Sequence, residues 1–289
     1  MTKPALDPRR HAYRDDLAAE ALRAQIAAPR YMAGEVRQVV RASTGLWARP
    51  TPREGWATEV LHGELVTVYD ERDGLAWVQL AHDNYVGYVA ADALSAAVQM
   101  PTHRVIVPGT FRYAAADAKA LTGLHLTMNA LVRVEEIGTS FGRLADGGYV
   151  PMRHLAGIGT FADDFIAVAE RFIGTPYVWG GKTRLGLDCS GLIQTAMHAA
   201  GLTCPRDSDM QRAELGTELE VREDLGGLQR GDLIFWKGHV GLLTDPVTLL
   251  HANATHMAVA AEPLKGAVER IARAGTPIAA VKRIGSAHV

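Results

Sequence analysis

The sequence predicts an α+β fold in which two small β-modules precede a domain of helices packed on one sheet. Three observations predict it. From residue 36 to about residue 155, short apolar runs alternate with Gly, Asp and Asn, as in strands joined by polar turns. Within this region the stretch 65–94 is similar to the stretch 131–155, which indicates an internal duplication. After Gly159 the apolar spacing becomes helical and then changes to β-prone runs.

The composition is that of an ordinary globular protein. The 289 residues are 48% apolar and 21% charged, with a formal net charge of −2. These values exclude a mainly disordered chain and give no electrostatic reason to expect nucleic acid or an anionic membrane as a partner. The uncharged stretch 246–261 is too short and too polar to span a bilayer. Because no apolar stretch follows the basic residues near the N-terminus, we expect no secretory signal and a cytoplasmic protein.

The N-terminal segment is predicted to form a helical strap on a neighbouring element. Asp15 to Ala27 spaces its apolar residues near helical intervals, and Pro29 ends the pattern. The predicted division of the whole chain is a helical strap at 1–35, β-modules at 36–98 and 99–158, and a mixed domain at 159–289.

The mixed domain is predicted to begin with two helices. Thr160 is a suitable cap for the first, with Asp163 and Asp164 placed favourably in its first turn. The second is expected from Cys189 to about residue 200, with Gly201 after its end. The later predicted elements are a short polar helix at 208–213, β-prone runs at 233–236, 240–244 and 249–253, a helix at 267–274 and a last strand at 278–284.

Cys189 is the first residue whose setting indicates chemistry. It follows a Gly-rich loop and begins an apolar helix, so unpaired N–H groups and the positive end of the helix dipole favour its thiolate. The same geometry places a backbone N–H beside the sulfur, where an oxyanion can be held. A lone cysteine is more often a buried apolar residue, and Cys204, which has no His nearby, is interpreted in that way.

Two histidines are candidates for the base and the orienting group that a thiol nucleophile needs. His239 lies in one β-prone run and His251 in the next, with the turn residues Asp245-Pro246 between them. The two runs are expected to pair as antiparallel strands, which can bring both rings together on one face. His256 competes for the second position and lies further along the chain.

Several motifs together are similar to those of a known family. Asp188-Cys189-Ser190-Gly191-Leu192 follows Pro176-Tyr177-x-Trp179-Gly180-Gly181 and precedes Gly231-Asp232-Leu233-x-Phe235 and Gly238-His239-Val240-Gly241. This set resembles the NlpC/P60 family of papain-like cysteine peptidases over about residues 160–285. The two β-modules resemble bacterial SH3 domains, and with them the chain resembles the family's γ-D-glutamyl-L-diamino acid endopeptidases.

The resemblance implies site residues in both parts of the chain. The implied catalytic residues are the nucleophile Cys189, the base His239, its orienting partner His251 and the oxyanion donor Tyr177. The implied substrate-binding residues are Trp179, Asp188, Ser190, Asp207 and Ser208. The carboxylate of Asp207 would bind a free α-amino group, although Asp207 and Ser208 also fit a turn or a helix cap. The first SH3-like domain is implied to close the pocket with a Tyr, for which Tyr85 is the candidate, and a Glu, for which Glu59 is the nearest residue without a position-for-position match.

The implied function is that of a cysteine endopeptidase. It would hydrolyse the γ-D-Glu–L-diamino acid bond of murein peptides with a free N-terminal L-Ala, in the recycling of cell-wall peptides. Intact murein, whose L-Ala is acylated, would leave a buried carboxylate unpaired and be rejected. Two alternatives stay open, which are an amidase of this family acting on another acyl or γ-glutamyl substrate, and a peptide-binding protein of the cell wall without catalysis.

We expect a monomer without cofactor or metal, whose partner is the murein-derived peptide. Six further histidines are scattered without the spacing of a metal site. They are His62, His82, His103, His125, His154 and His198. The run Gly180-Gly181-Lys182-Thr183 lacks the first Gly of a phosphate-binding loop, so no nucleotide site is predicted.

Overall fold

The computed structural model describes residues 6–51 and 55–285, and residues 1–5 of the predicted strap lie outside them. The chain divides into two compact units, Met1–Ile158 and Gly159–Val289. Helices and strands are mixed along the chain, which confirms the predicted α+β class. Among the described residues, no helix combines the length and the apolar character needed to cross a membrane.

The N-terminal segment is extended, and the helix predicted for Asp15 to Ala27 is wrong. Its elements are β1 (Tyr13–Arg14), β2 (Leu17–Ala19), a 3₁₀ turn (Glu20–Leu22) and β3 (Tyr31–Met32). All three residues of β2 are buried although they are consecutive, and Leu17 packs in a cluster with Tyr69 and Trp77. An extended segment can be covered on both faces, whereas a short amphipathic helix buries one face and has little stability of its own.

The next strands form sheets around an apolar core. They are β4 (Glu35–Val39), β5 (Ser43–Leu46), β6 (Thr58–Leu61), β7 (Leu65–Arg72), β8 (Leu75–Leu80), β9 (Val86–Ala90) and β10 (Leu94–Ser95). One sheet has the order β10-β4-β7-β8-β9, and β5 pairs with β6 in another. Asp73 and Gly74 join β7 to β8 with positive φ at both residues, which suits a tight two-residue turn.

The strands after residue 99 build a second apolar core. They are β11 (His103–Val105), β12 (Gly109–Tyr113), β13 (Thr122–Thr127), β14 (Leu131–Val132), β15 (Val134–Ile137), β16 (Phe141–Leu144), β17 (Tyr149–Pro151) and β18 (Leu155–Gly157). Their sheets have the orders β14-β11-β18 and β13-β12-β17-β16-β15. Each copy of the repeated motif supplies buried valines, Val66 and Val89 to the first core and Val132 and Val150 to the second. The boundaries of the strap and of the two SH3-like domains stay predictions.

The second unit places helices on an antiparallel sheet. Its helices are α1 (Phe165–Glu170), α2 (Cys189–Ala199), α3 (Ser208–Glu214) and α4 (Leu264–Arg273). Its strands are β19 (Lys182–Thr183), β20 (Gly186–Leu187), β21 (Thr217–Leu219), β22 (Leu233–Trp236), β23 (His239–Asp245), β24 (Thr248–Asn253), β25 (Ala258–Pro263) and β26 (Ala280–Arg283). The main sheet has the order β21-β26-β22-β23-β24-β25, and α2 packs against β23 and β24.

Most predicted elements of this unit are confirmed, including α2, α3, α4, the three β-prone runs and the last strand. β25 was not predicted, because Ala is a poor strand former and one residue of this strand is fully buried. Its pairing with β24 along the whole strand supplies what local propensity lacks. The sheet thus gains an edge strand that carries Glu262.

The cap of α1 also differs from the prediction. Asp164, and not Thr160, is the N-cap residue, and its Oδ1 accepts hydrogen bonds from the backbone N–H groups of Ile166 at 2.8 Å and Ala167 at 3.1 Å. The helix begins only at Phe165, so the carboxylate of Asp164 is the side chain within reach of the first turn.

Candidate active site

The sulfur of Cys189 lies where the start of α2 meets the start of β23. Cys189 is the first residue of the helix, and Asp188 caps it by accepting the backbone N–H of Gly191 at 2.7 Å. The backbone N–H groups of Val240 and Ser190 both donate to the sulfur. Since Val240 follows His239 on β23, the helix and the sheet come together as predicted.

Glycines allow the loop before Cys189 to pack closely on the helix. The backbone N–H of Gly180 donates to Asp188 Oδ2 at 2.8 Å, and Gly180 has a φ of +77°. A Cβ on Gly191 would lie 2.2 Å from the carbonyl oxygen of Gly181. Side chains at these positions would push the loop away from the nucleophile, which explains the glycines on both sides of the cysteine motif.

A buried arginine that the sequence analysis did not identify completes the support of Cys189. The side chain of Arg206 is 1% exposed and donates to both carboxylate oxygens of Asp188, at 3.0 and 2.7 Å, and to the Ser190 hydroxyl at 2.8 Å. With the N–H groups of the helix and loop, these bonds occupy both oxygens of Asp188. The structure therefore gives Asp188 and Ser190 a positioning role, and their contact with substrate stays a prediction.

The two predicted histidines are brought together, and they continue into an ion pair. His239 Nε2 lies 2.8 Å from His251 Nδ1, and His251 Nε2 lies 2.8 Å from Glu262 Oε1. Arg270, on α4, donates to both oxygens of Glu262 at 2.6 Å. His251 is 1% exposed, so the row is buried at its centre, whereas the side chain of Arg270 at its end is 34% exposed.

Gly241 makes room for the contact between the histidines. A Cβ at this position would lie 2.6 Å from Leu249 Cδ1 and 3.3 Å from His251 Cβ. The competing histidine, His256, bonds Asn253 Oδ1 through its Nδ1 at 3.0 Å and is not the partner of His239. The choice of His251 over His256 therefore agrees with the geometry.

Both units match known protein families. The model of the NlpC/P60 family matches residues 174–271, and that of the bacterial dipeptidyl-peptidase SH3 domain matches residues 46–94. A protein of Bacillus subtilis named gamma-D-glutamyl-L-lysine dipeptidyl-peptidase is 30% identical over 225 residues, which are 68% of this chain and 72% of that protein. The chain belongs to the NlpC/P60 family of cysteine peptidases. The resemblance drawn from the sequence motifs is confirmed.

Two further NlpC/P60 comparisons agree. A Bacillus cereus protein, also named gamma-D-glutamyl-L-lysine dipeptidyl-peptidase, is 36% identical over 123 residues, which are 39% of this chain and 35% of that protein. The crystal structure of an NlpC/P60 family protein from Bacillus cereus superimposes with a TM-score of 0.70 at 22% identity, covering 86% of this chain and 99% of that one. At this identity the likeness shows a shared fold.

Burial dominates the electrostatics of Cys189 and His239. Cys189 is 7% exposed, and burial raises the pKa of its thiol to about 11, with the charge of Asp188 acting in the same direction. The N–H groups of Val240 and Ser190 oppose this shift without overcoming it. Burial also lowers the pKa of His239 to about 3. These directions favour the neutral forms of both groups at neutral pH and run against the expected thiolate.

Tyr177 and Trp179 lie on the loop that precedes the nucleophile. Burial, and then the charge of Cys189, raise the pKa of the Tyr177 hydroxyl to about 12. The hydroxyl therefore stays protonated and able to donate to an oxyanion near the sulfur. Trp179 is 66% exposed, so its ring is open to a ligand. The roles of both residues stay predictions.

Asp207 and Ser208 stand at the start of α3. Asp207 occupies the N-cap position, where its backbone carbonyl accepts the N–H of Gln211 at 2.9 Å. Within the described part of the chain, its carboxylate accepts no capping hydrogen bond from the helix. Helix capping therefore does not account for this carboxylate, and its predicted contact with an amine stays a prediction.

The two substrate residues predicted for the first SH3-like domain are both buried. Tyr85 is 5% exposed and belongs to the apolar core of that domain. Glu59 lies on β6, is 5% exposed and accepts a hydrogen bond from the Ser43 hydroxyl at 2.9 Å. Their contact with substrate stays a prediction.

One group of side chains has the donor atoms of a metal site. Ligand atoms of His251, His256 and Glu262 lie within 4.8 Å of one another. However, both oxygens of Glu262 already accept from the Arg270 guanidinium, whose positive charge opposes a second cation there. The geometry favours a hydrogen-bonded support of His239 through His251 over a metal centre.

Proposed function

We propose that this protein hydrolyses the bond between γ-D-Glu and an L-diamino acid in murein peptides that carry a free N-terminal L-Ala. The observation that carries the proposal is the 2.8 Å contact between His239 and His251, next to the strand residue whose N–H binds the sulfur of Cys189. The names of the relatives from the two Bacillus species give the substrate class.

The pKa shifts of Cys189 and His239 favour a proton transfer during the attack over a preformed ion pair. His239 takes the thiol proton as Cys189 attacks the γ-carbonyl carbon, and the negative charge moves to the carbonyl oxygen. The backbone N–H of Cys189 and the hydroxyl of Tyr177 hold that oxygen. Protonated His239 then gives its proton to the departing amine of the diamino acid. Water, activated by the neutral His239, hydrolyses the thioester and restores the thiol.

The first experiment tests the reaction itself. The purified chain is incubated with L-Ala-γ-D-Glu-meso-diaminopimelate, with the L-lysine analogue and with a peptide holding another γ-glutamyl amide, and the products are identified by mass spectrometry. We expect release of L-Ala-γ-D-Glu by the native chain and none by Cys189→Ala. Cleavage of the unrelated γ-glutamyl amide alone would support the amidase alternative, and no cleavage of any peptide would overturn the proposal.

The second experiment tests recognition of the free N-terminus by Asp207. A carboxylate that binds an ammonium group loses a charge-assisted hydrogen bond when it becomes an amide. We therefore expect Asp207→Asn to raise the KM for the free peptide and to reduce the discrimination against its N-acetylated form. Asp209→Asn removes the same charge from the same helix and serves as the matched control. Equal discrimination in both variants would remove Asp207 from the substrate site.

The proposed place of the reaction is the breakdown of peptides already released from the wall, in the cytoplasm. A free N-terminal L-Ala arises only after the bond that acylates it in intact murein is cut. Cell fractionation with an antibody to the chain tests the compartment. Recovery of the protein mainly from the culture medium or the wall would contradict this part of the proposal.

A further inference from the structure

We propose that Glu262, held by Arg270, is a positioning residue that sets the tautomers of His251 and His239 and so makes Nδ1 of His239 the proton acceptor for Cys189. This inference rests on the proposed thiol chemistry. It concerns two residues that lie outside the sequence motifs and outside the contact between the histidines.

The strand register brings Glu262 to His251. His251, on β24, pairs with Ala260 of β25, and Glu262 lies two residues further along β25 on the same face. Its Oε1 is 2.8 Å from His251 Nε2. The Nδ1 of His256 is 4.0 Å from the same oxygen, so it does not displace that contact.

Arg270 keeps Glu262 as an acceptor only. Its guanidinium donates to both carboxylate oxygens at 2.6 Å, a forked geometry that favours the ionised acid. This pair lowers the pKa of Glu262 to about 2, and burial lowers the pKa of His251. At neutral pH a carboxylate therefore faces a neutral imidazole that has a single N–H.

One arrangement of protons satisfies all of these contacts. Because Glu262 only accepts, the N–H of His251 must be on Nε2, and its Nδ1 carries the lone pair. That lone pair lies 2.8 Å from Nε2 of His239, which must then donate. The lone pair of His239 is left on Nδ1, which is the nitrogen that remains for the thiol. The opposite tautomer of His251 would point a lone pair at the carboxylate.

The same chain of contacts supports the charged state of the base. When His239 takes the thiol proton it becomes an imidazolium, and its Nε2–H bond to His251 strengthens. The proton stays on His239 because the ion pair with Arg270 makes Glu262 a very weak base. Glu262 thus acts through hydrogen bonds and orientation, in the manner of the buried acid in a serine peptidase triad.

The test is nitrogen NMR on protein labelled with ¹⁵N-histidine, because it reports which ring nitrogen is protonated. Resonances are assigned with His239→Gln and His251→Gln. In the native chain we expect protonated Nε2 and unprotonated Nδ1 at both histidines near neutral pH. Nδ1 protonation of His251 in the native chain would overturn the inference without the use of any variant at Glu262.

Variants then connect the tautomers to turnover. Glu262→Gln can donate as well as accept, so we expect a mixture of His251 tautomers and a fall in kcat of about 10- to 100-fold with little change in KM. Arg270→Gln should give a smaller change of the same kind. Arg273, on the same helix, donates to the exposed carbonyl of Glu269. Arg273→Gln removes the same charge and should leave both readouts unchanged.

The outcomes separate this inference from the proposed function. If the native chain cleaves murein peptides and Glu262→Gln keeps native tautomers and native kcat, the positioning role is wrong and the function stands. If the native chain shows the expected tautomers and cleaves none of the peptides, the proposed substrate is wrong. A structural role alone would lower folded protein in Glu262→Gln and leave the histidine spectrum of its folded fraction unchanged.

Discussion

Two ion pairs support the two sides of the active site, and they differ in burial. Arg206 binds Asp188 behind the helix that carries Cys189, and the side chain of this arginine is 1% exposed. Arg270 binds Glu262 behind the histidines, and its side chain is 34% exposed. Cys189 is thus supported by a pair that is part of the core, and His239 by a pair that water reaches. We infer that the first mainly supports folding and that the second mainly supports chemistry.

The largest expected effect is on the rate at which the thiol of Cys189 is alkylated. With the pKa of Cys189 raised to about 11, alkylation of the free enzyme by iodoacetamide should increase about 1000-fold from pH 7 to pH 10, because the thiolate fraction rises about tenfold per pH unit. Mass spectrometry locates the label, and Cys189→Ala gives the background. A high rate that is already level at pH 7 would show a resting thiolate and contradict the raised pKa of Cys189.

The next largest effect is on stability and is expected when a substitution breaks the buried ion pair. Arg206→Met leaves the charge of Asp188 buried without its partner, so we expect the free energy of unfolding to fall by about 3–5 kcal/mol. Urea unfolding followed by fluorescence measures it. Arg212→Met on the exposed side of α3 is the matched control, with an expected change within about 0.5 kcal/mol. A loss from Arg206→Met below about 1 kcal/mol would remove the contrast drawn between the two pairs.

A smaller effect on the free energy of unfolding is expected from the burial of His239, and it depends on pH. Burial lowers the pKa of His239 from 6.5 to about 3, so between these values the unfolded chain binds a proton that the folded chain does not. The free energy of unfolding is therefore retained in full above pH 6.5 and decreases as the pH falls toward 3. The expected decrease from this residue is on the order of 2–4 kcal/mol. Unfolding curves at several pH values test the sign. The pH dependence of His239→Gln should be flatter in this window, and an unchanged slope would contradict the assignment.

The smallest expected effect on stability comes from the partly exposed ion pair between Arg270 and Glu262. Arg270→Gln should change the free energy of unfolding by less than about 1 kcal/mol, since partly exposed ion pairs contribute little. The same urea experiment measures it. A loss as large as that of Arg206→Met would show that the pair behind the histidines also holds the fold together.

The central part of the site was predictable because its geometry is local. The first residue of a helix needs no long-range information, and two strands joined by a short turn bring His239 beside His251 once they pair. The arginines were not predictable in this way. Arg206 reaches Asp188 across 18 residues of sequence. In the sequence, Arg206 and Arg270 have the character of ordinary surface charges.

Long-range packing and burial also explain the other differences between the predictions from the sequence and the structure. Glu262 reaches His251 only through the register of β25, an Ala-rich strand whose own propensity for strand is weak. The expectation of a thiolate was based on the helix position alone and left out the cost of removing the sulfur from water, which acts in the opposite direction. The predicted boundaries of the fold were more accurate where glycines mark them, as at Gly201, which follows α2 with a φ of +76°.

The extended N-terminal segment has a practical consequence for anyone who shortens this protein. Leu17 and Leu22 cover the rings of Tyr69 and Trp77 in one cluster. A truncated protein that starts at Val36 would expose those aromatic rings to solvent and so gain an apolar surface that promotes aggregation. Expression trials of the isolated β-modules should therefore begin upstream of Ala12, which belongs to the same cluster, and trimmed versions should precipitate sooner during purification.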